Sequence, residues 1–233
     1  MTSPDRVPAN PEAPNPQLPS VQKLRIRYAK RGRLRFTSHR DFGRAFERAV
    51  RRAGVPIAHS SGFSPHPKIS YAGASPTGAA SEAEYLEIGV VRHVDPDELA
   101  RALDTALPPG LDILEVVAVR EGSGSLADRL EASAWTLALP TVSPETAASA
   151  VEAFLAAPEV LVDRMTKKGL REFDARGAVV SLAAEPGTGG TVLDLVLRHG
   201  QPAVRPDDQR GQRQQSGGGG GGADRDRRTL RPG

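Results

Sequence analysis

Five side chains in three short motifs of this sequence have the chemistry to move a proton or hold a divalent cation: His39, Asp41, His66, Glu82 and Glu84. Imidazoles and carboxylates are the common general acids and bases and common zinc ligands. Their spacing argues against a metal centre. No histidine pair has the H-x-H or H-x-x-x-H separation, and Asp41 follows Ser38 by three residues, where it serves a helix cap. His66 lies in Gly62-Phe63-Ser64-Pro65-His66-Pro67-Lys68. Two prolines stiffen the backbone around that imidazole, and Lys68 and Ser70 add donors suited to phosphate or carboxylate. An enzyme made from these groups would be a metal-independent RNA-cleaving or RNA-modifying protein with His39 and His66 as acid and base. Ser70, Glu82, Glu84 and Tyr85 would line its site.

A second set of residues binds rather than reacts. Between Lys23 and Arg52 there are twelve Lys or Arg against two acids, Asp41 and Glu47, although the whole chain carries a net charge of only +3. An arginine-rich composition explains Arg in place of Lys but not this clustering. Several such side chains on one surface contact successive phosphates. The expected contacts are Arg25, Arg27, Arg44, Arg48, His66 and Lys68, joined by Lys167 and Lys168 on a later turn. Glu82 and Glu84 would face this patch in cis.

The elements that must carry these residues follow from periodicity. Leu24, Ile26 and Tyr28 alternate with Lys23, Arg25 and Arg27, a strand with one apolar and one basic side. Leu34 and Phe36 are expected to continue it past a turn. Ser38 then caps a helix whose Phe42, Ala45, Phe46, Ala49, Val50 and Ala53 form one buried stripe. Extended segments follow at Val55–Ser60, Ile69–Ala72 and Tyr85–Val91. Asp95 and Pro96 open a second helix, and Ile113–Val119 is a β-branched strand. This β-α-β-β-α-β order predicts an α+β, ferredoxin-like unit over residues 22–120. Residues 121–130 form a linker. Residues 131–208 repeat a β-α-β-β frame, with a hairpin across Lys167-Lys168-Gly169, and stop short of the last helix and strand.

Composition sets the remaining bounds. Residues 1–20 are a proline-rich leader and residues 209–233 a low-complexity tail with six consecutive glycines, both expected to be disordered. The tail has the composition of a frameshifted terminus. No apolar run approaches a membrane span, so no membrane contact and a cytoplasmic location are expected. The chain has no cysteine, which excludes thiolate chemistry and a cysteine-held iron–sulfur cluster. No cofactor is expected.

Phe36-Thr37-Ser38-His39-Arg40-Asp41, Gly62–Ser70, Ser81-Glu82-Ala83-Glu84-Tyr85-Leu86 and Arg-x-Thr-Lys-Lys-Gly at Arg164–Gly169 together resemble the bacterial radical-SAM-associated, or radical-SAM-linked, family, a domain family of unknown function. The resemblance spans roughly residues 22–208. It implies a radical-SAM protein as partner and a link to RNA metabolism. Since this chain cannot hold the cluster, the expected function is a non-catalytic RNA-binding or substrate-presenting accessory protein. The alternatives are the enzyme above and a protein-interaction adaptor whose arginines dock an acidic partner.

Overall fold

The computed structural model describes residues 18–166 and 169–200 and the backbone of Leu230–Pro232. Its class is α+β. The first sheet is made by β1 (Gln22–Lys30), β2 (Ile69–Ala72), β3 (Ser81–Val90) and β4 (Leu111–Ala118), with α1 (His39–Arg52) and α2 (Pro96–Ala106) in the two crossovers. The strand order is β2-β3-β1-β4 and every neighbour is antiparallel. That is the split β-α-β order of a ferredoxin-like sheet.

β1 is central. Its side chains alternate as anticipated: Leu24, Ile26 and Tyr28 are buried, while Lys23, Arg25 and Arg27 point to the other face. The buried set meets Phe42, Phe46, Ala49 and Val50 of α1 and Leu99, Leu103 and Ala106 of α2 in one core. Tyr28 and Phe42 stack with ring centroids 4.1 Å apart. Both helices begin on side-chain caps. Ser38 Oγ accepts from the Asp41 N–H and Asp95 Oδ1 from that of Glu98, each satisfying an otherwise orphaned helix donor.

Two local expectations change. Gly32–Phe36 is a 3₁₀ turn rather than more strand. A strand continuing beyond Lys30 would have no neighbour to pair with, since β3 begins opposite it at Ser81. Val55–Ser60 is not a regular strand either. It makes single bridges, Ile57 to Val90 and His59 to Pro67. Conversely, the acidic run Ser81–Tyr85 lies inside β3.

The linker holds a short helix α3 (Leu126–Arg129). The second sheet contains β5 (Ala132–Leu139), β8 (Val179–Gly187), β9 (Gly190–Arg198) and β10 (Leu230–Pro232), in the order β10-β5-β9-β8. Helix α4 (Pro144–Ala156) packs on it. Between α4 and β8 stand a separate hairpin, β6 (Leu161–Thr166) with β7 (Gly169–Asp174), and a single helical turn α5 (Ala175–Ala178). With β5 matched to β1 and β10 to β4, this order repeats that of the first sheet. β10 lies in the tail expected to lack structure and takes the place of the final strand expected to be missing, pairing Leu230 with Leu137. A counterpart of α2 would fall within residues 201–229, outside the described residues, as does most of the tail.

Gly110 turns the chain from α2 into β4 with φ +93°, and a Cβ there would lie 3.0 Å from the carbonyl oxygen of Arg31. Its own carbonyl accepts from the Arg31 N–H at 2.8 Å. Gly110→Ala should therefore lower unfolding stability by roughly 1–3 kcal/mol through backbone strain, read as a lower urea midpoint at unchanged m-value.

Candidate functional site

The two sets of cations expected on one surface lie on opposite sides of the first sheet. Because α1 covers the apolar face of β1, Arg25 and Arg27 occupy the face away from the helix. Arg44 and Arg48 project from the outer side of α1, away from its buried stripe. The physical reason is the strand's period of two: burying Leu24, Ile26 and Tyr28 under α1 commits their neighbours to the reverse face.

On that reverse face the strand cations are largely neutralised. Arg25 is only 13% exposed in its side chain. Its Nε is 3.1 Å from Glu87 of β3 and its Nη2 donates to the carbonyl oxygen of Gly124. Lys23 shares Glu87 at 3.5 Å, and Arg27 meets Glu115 of β4 at 3.5 Å. The linker passes over this face, and between them lies an open groove of about 980 Å³ whose lining includes Lys23, Ser70, Glu87, His93 and Ser123. Ser70 thus falls beside Glu87 across β2 and β3. Tyr85, paired with Arg27, is on this face as well.

The outer side of α1 is different. Arg40, Arg44, Arg48 and Arg52 recur every four residues, with Arg51 beside them, and all five are exposed. Residues four apart share a helix face and rise about 6 Å per step. Arg52 donates to the carbonyl oxygen of Ala106, and Arg44 has a long ion pair with Asp41 at 3.9 Å. This is an extended cationic strip on one helix. Arg40, Arg51 and Arg52 belong to it although the expected contacts omitted them; their spacing with Arg44 and Arg48 was the available signal.

The acids expected to face a basic patch have separate tasks. Glu82 accepts from Arg31 Nη2 at 2.6 Å, and Arg31 Nη1 reaches Asp112 at 2.9 Å, so one guanidinium brackets β3 and β4. These bonds raise the pKa of Arg31 further above its ordinary value. Glu84 is 3% exposed and accepts from the Ser75 N–H at 3.1 Å. Lys30, 4% exposed, donates to the Ser75 carbonyl oxygen at 3.4 Å. Two buried charges thus grip one residue of the loop between β2 and β3.

The two histidines sit on different elements and have different partners. His39 opens α1 and lies edge-on to Tyr71, ring centroids 4.8 Å apart. His66 is five residues back from Tyr71 along mostly extended chain, roughly 16 Å at ~3.3 Å per residue. Its N–H donates to Ser60 Oγ and its carbonyl oxygen accepts from the Ser60 N–H. The acid–base pair of the enzyme alternative would need both imidazoles within reach of one substrate atom. Lys68 is exposed at the start of β2. Lys167 and Lys168 lie outside the described residues. Among the described residues no group of three or more His, Cys, Asp or Glu is placed to hold a metal ion, and no helix is long and apolar enough to cross a membrane.

With the fold and these surfaces defined, the class is an α+β protein of two four-stranded sheets and a separate hairpin, with an arginine-faced helix. Residues 23–206 match the family described as uncharacterized protein conserved in bacteria (DUF2344); the chain belongs to that family. No match to a curated protein was found.

Burial raises two tyrosine pKa values above the ordinary 10. Tyr71 is pushed up to about 12, by desolvation first and Glu47 second. Tyr28 goes higher, by desolvation first, then by the charge of Glu84 and by Tyr71. The fold therefore holds these protons more tightly than the unfolded chain does. Their contribution is complete below pH 10 and is lost as pH rises from there through the folded-state values. Denaturant midpoints should fall steadily above pH 10, and Tyr28→Phe should flatten that fall.

Proposed function

We propose that the protein is a non-catalytic RNA-binding or substrate-presenting accessory protein whose contact surface is the outer side of α1. It works in the bacterial cytoplasm beside a separate radical-SAM enzyme, which performs the chemistry. The observation that carries the RNA contact is the unbroken spacing of Arg40, Arg44, Arg48 and Arg52 on an exposed helix face. Spread over about 18 Å of helix axis, these guanidiniums reach several phosphates of one strand, and each contact releases counterions. The strand cations contribute little, because Glu87 and Glu115 already serve them. The radical-SAM partner rests on the motifs at Phe36–Asp41, Gly62–Ser70 and Ser81–Leu86 that resemble the radical-SAM-linked family.

An adaptor role draws on a different feature. Met165 and Leu170 pair near the end of the β6–β7 hairpin and are 71% and 62% exposed, an apolar pair suited to a protein pocket. Partner capture that survives RNase treatment would favour this reading over the first.

Binding of a short single-stranded RNA should weaken steeply as salt rises. Replacing Arg44 and Arg48 together with Ala should lower affinity several-fold at low salt and reduce the log–log salt slope by about 1.4, at ~0.7 per phosphate contact on a single strand. Replacing Arg25 with Ala should leave that slope unchanged. Titrations at several salt concentrations read both; no binding by the wild-type chain at low salt would remove the RNA contact altogether.

A further inference from the structure

The loop from Ser60 to His66 presents an aromatic ring that the fold does not use. Phe63 is 83% exposed, more than any other large hydrophobic side chain among the described residues. Single exposed apolar residues are ordinary on protein surfaces, so exposure alone assigns nothing. The backbone beneath this one is the informative part. The Ser60 N–H donates to the His66 carbonyl oxygen at 2.8 Å, the His66 N–H donates to Ser60 Oγ at 3.0 Å, and the Lys68 N–H donates to the Ala58 carbonyl oxygen at 2.7 Å. His59 bridges to Pro67 below them. Pro65 and Pro67 fix two further φ angles. Gly62 takes φ +135°, which other residues rarely adopt. The turn is thus closed at its base and stiff near its tip, and it leaves Phe63 exposed.

The charge of the flanking sequence points to the ligand. From Arg48 to Ser81 the chain has no Asp or Glu, while it carries Arg48, Arg51, Arg52, His59, His66 and Lys68. A hydrophobic protein pocket would place no such demand on its neighbours. A polyanion with planar, apolar faces would, because each base stacks on an aromatic ring while its phosphate needs cations. The C-terminal end of α1, with Arg48 and Arg51, precedes this loop in the chain, separated from it by the bridged segment around Ile57–His59. Phe36 makes the contrast: it is half-exposed, with the Arg35 guanidinium 4.6 Å above its ring and Gly78 against its edge.

We infer that Phe63 is a base-stacking residue: its ring, held out by the closed Ser60–His66 turn, takes one unpaired base of single-stranded RNA, with His66 and Lys68 near the flanking phosphate. This rests on the RNA-binding role of α1 and extends it from phosphate contact to contact with a base.

The test compares a fluorescently labelled short oligouridylate with an abasic strand of the same length, each titrated with the full-length chain. Phe63→Ala should weaken oligouridylate binding on the order of tenfold or more and leave its salt slope unchanged, since no charge is removed. It should leave abasic binding unchanged. Phe63→Trp should retain affinity, and its added emission should be quenched by oligouridylate but not by the abasic strand. If Phe63→Ala binds oligouridylate as wild type does while the Arg44 and Arg48 double variant is weakened, the stacking role is overturned and the α1 role stands. Equal losses on both strands would also overturn stacking. No binding of either strand by the wild-type chain at low salt would overturn both. Unchanged RNA binding with loss of a captured protein partner would reassign Phe63 to a protein pocket.

Discussion

The antiparallel pairing of β1 with β3 on one side and β4 on the other is the constraint on which the rest of the first sheet depends. A central strand has no free edge, so its position fixes both neighbours. Its alternation then fixes both faces. Leu24, Ile26 and Tyr28 need a cover, and α1 and α2 supply it with Phe42, Phe46, Leu99 and Leu103. Losing one such phenylalanine would cost about 3–5 kcal/mol, a large part of a typical domain's net stability. Lys23, Arg25 and Arg27 are then obliged to face the other way, where adjacent strands place Glu87 and Glu115 opposite them. Cross-strand pairs of opposite charge stabilise a sheet, and like charges in those positions would weaken it. The strand arginines therefore belong to the architecture.

The end of the sheet beyond Tyr28 shows how the two halves of the chain are joined. Lys30 and Glu84 are both buried, and both bind the backbone of Ser75. A buried charge is tolerated only with such partners. The loop they hold continues to Ala79, which is 2% exposed and packs with Trp135, Leu137, Val179, Leu195 and Leu197 of the second sheet. One loop is thus anchored in the first sheet and inserted in the core of the second.

The repeated strand order gives the two excursions a common place. In the first unit the Ser60–His66 turn stands between α1 and β2. In the second the β6–β7 hairpin stands between α4 and β8. Each leaves apolar side chains exposed, Phe63 in one and Met165 with Leu170 in the other. Such loops are free of the packing that fixes the sheets and are the usual carriers of binding residues.

Much of the fold was legible in the sequence because local rules dominate it. The alternation of β1, the Ser38 and Asp95 caps, the stripe of α1 and the hairpin across Lys167-Lys168-Gly169 are written in residues close to one another, and the order of elements then leaves few topologies. The buried faces of β1 and α1 could be named as well. What the chain could not disclose was which exposed groups would share a side. Arg25 and Arg44 are close in sequence, and each is polar on an amphipathic element. Only the docking of α1 onto the apolar face of β1 sends them in opposite directions. Glu84 and Lys30 read as surface charges until Ser75, forty-five residues from Lys30, folds over them. Periodicity determines which side of an element is buried. The relative placement of the sides left over is set by long-range packing, which no local pattern encodes.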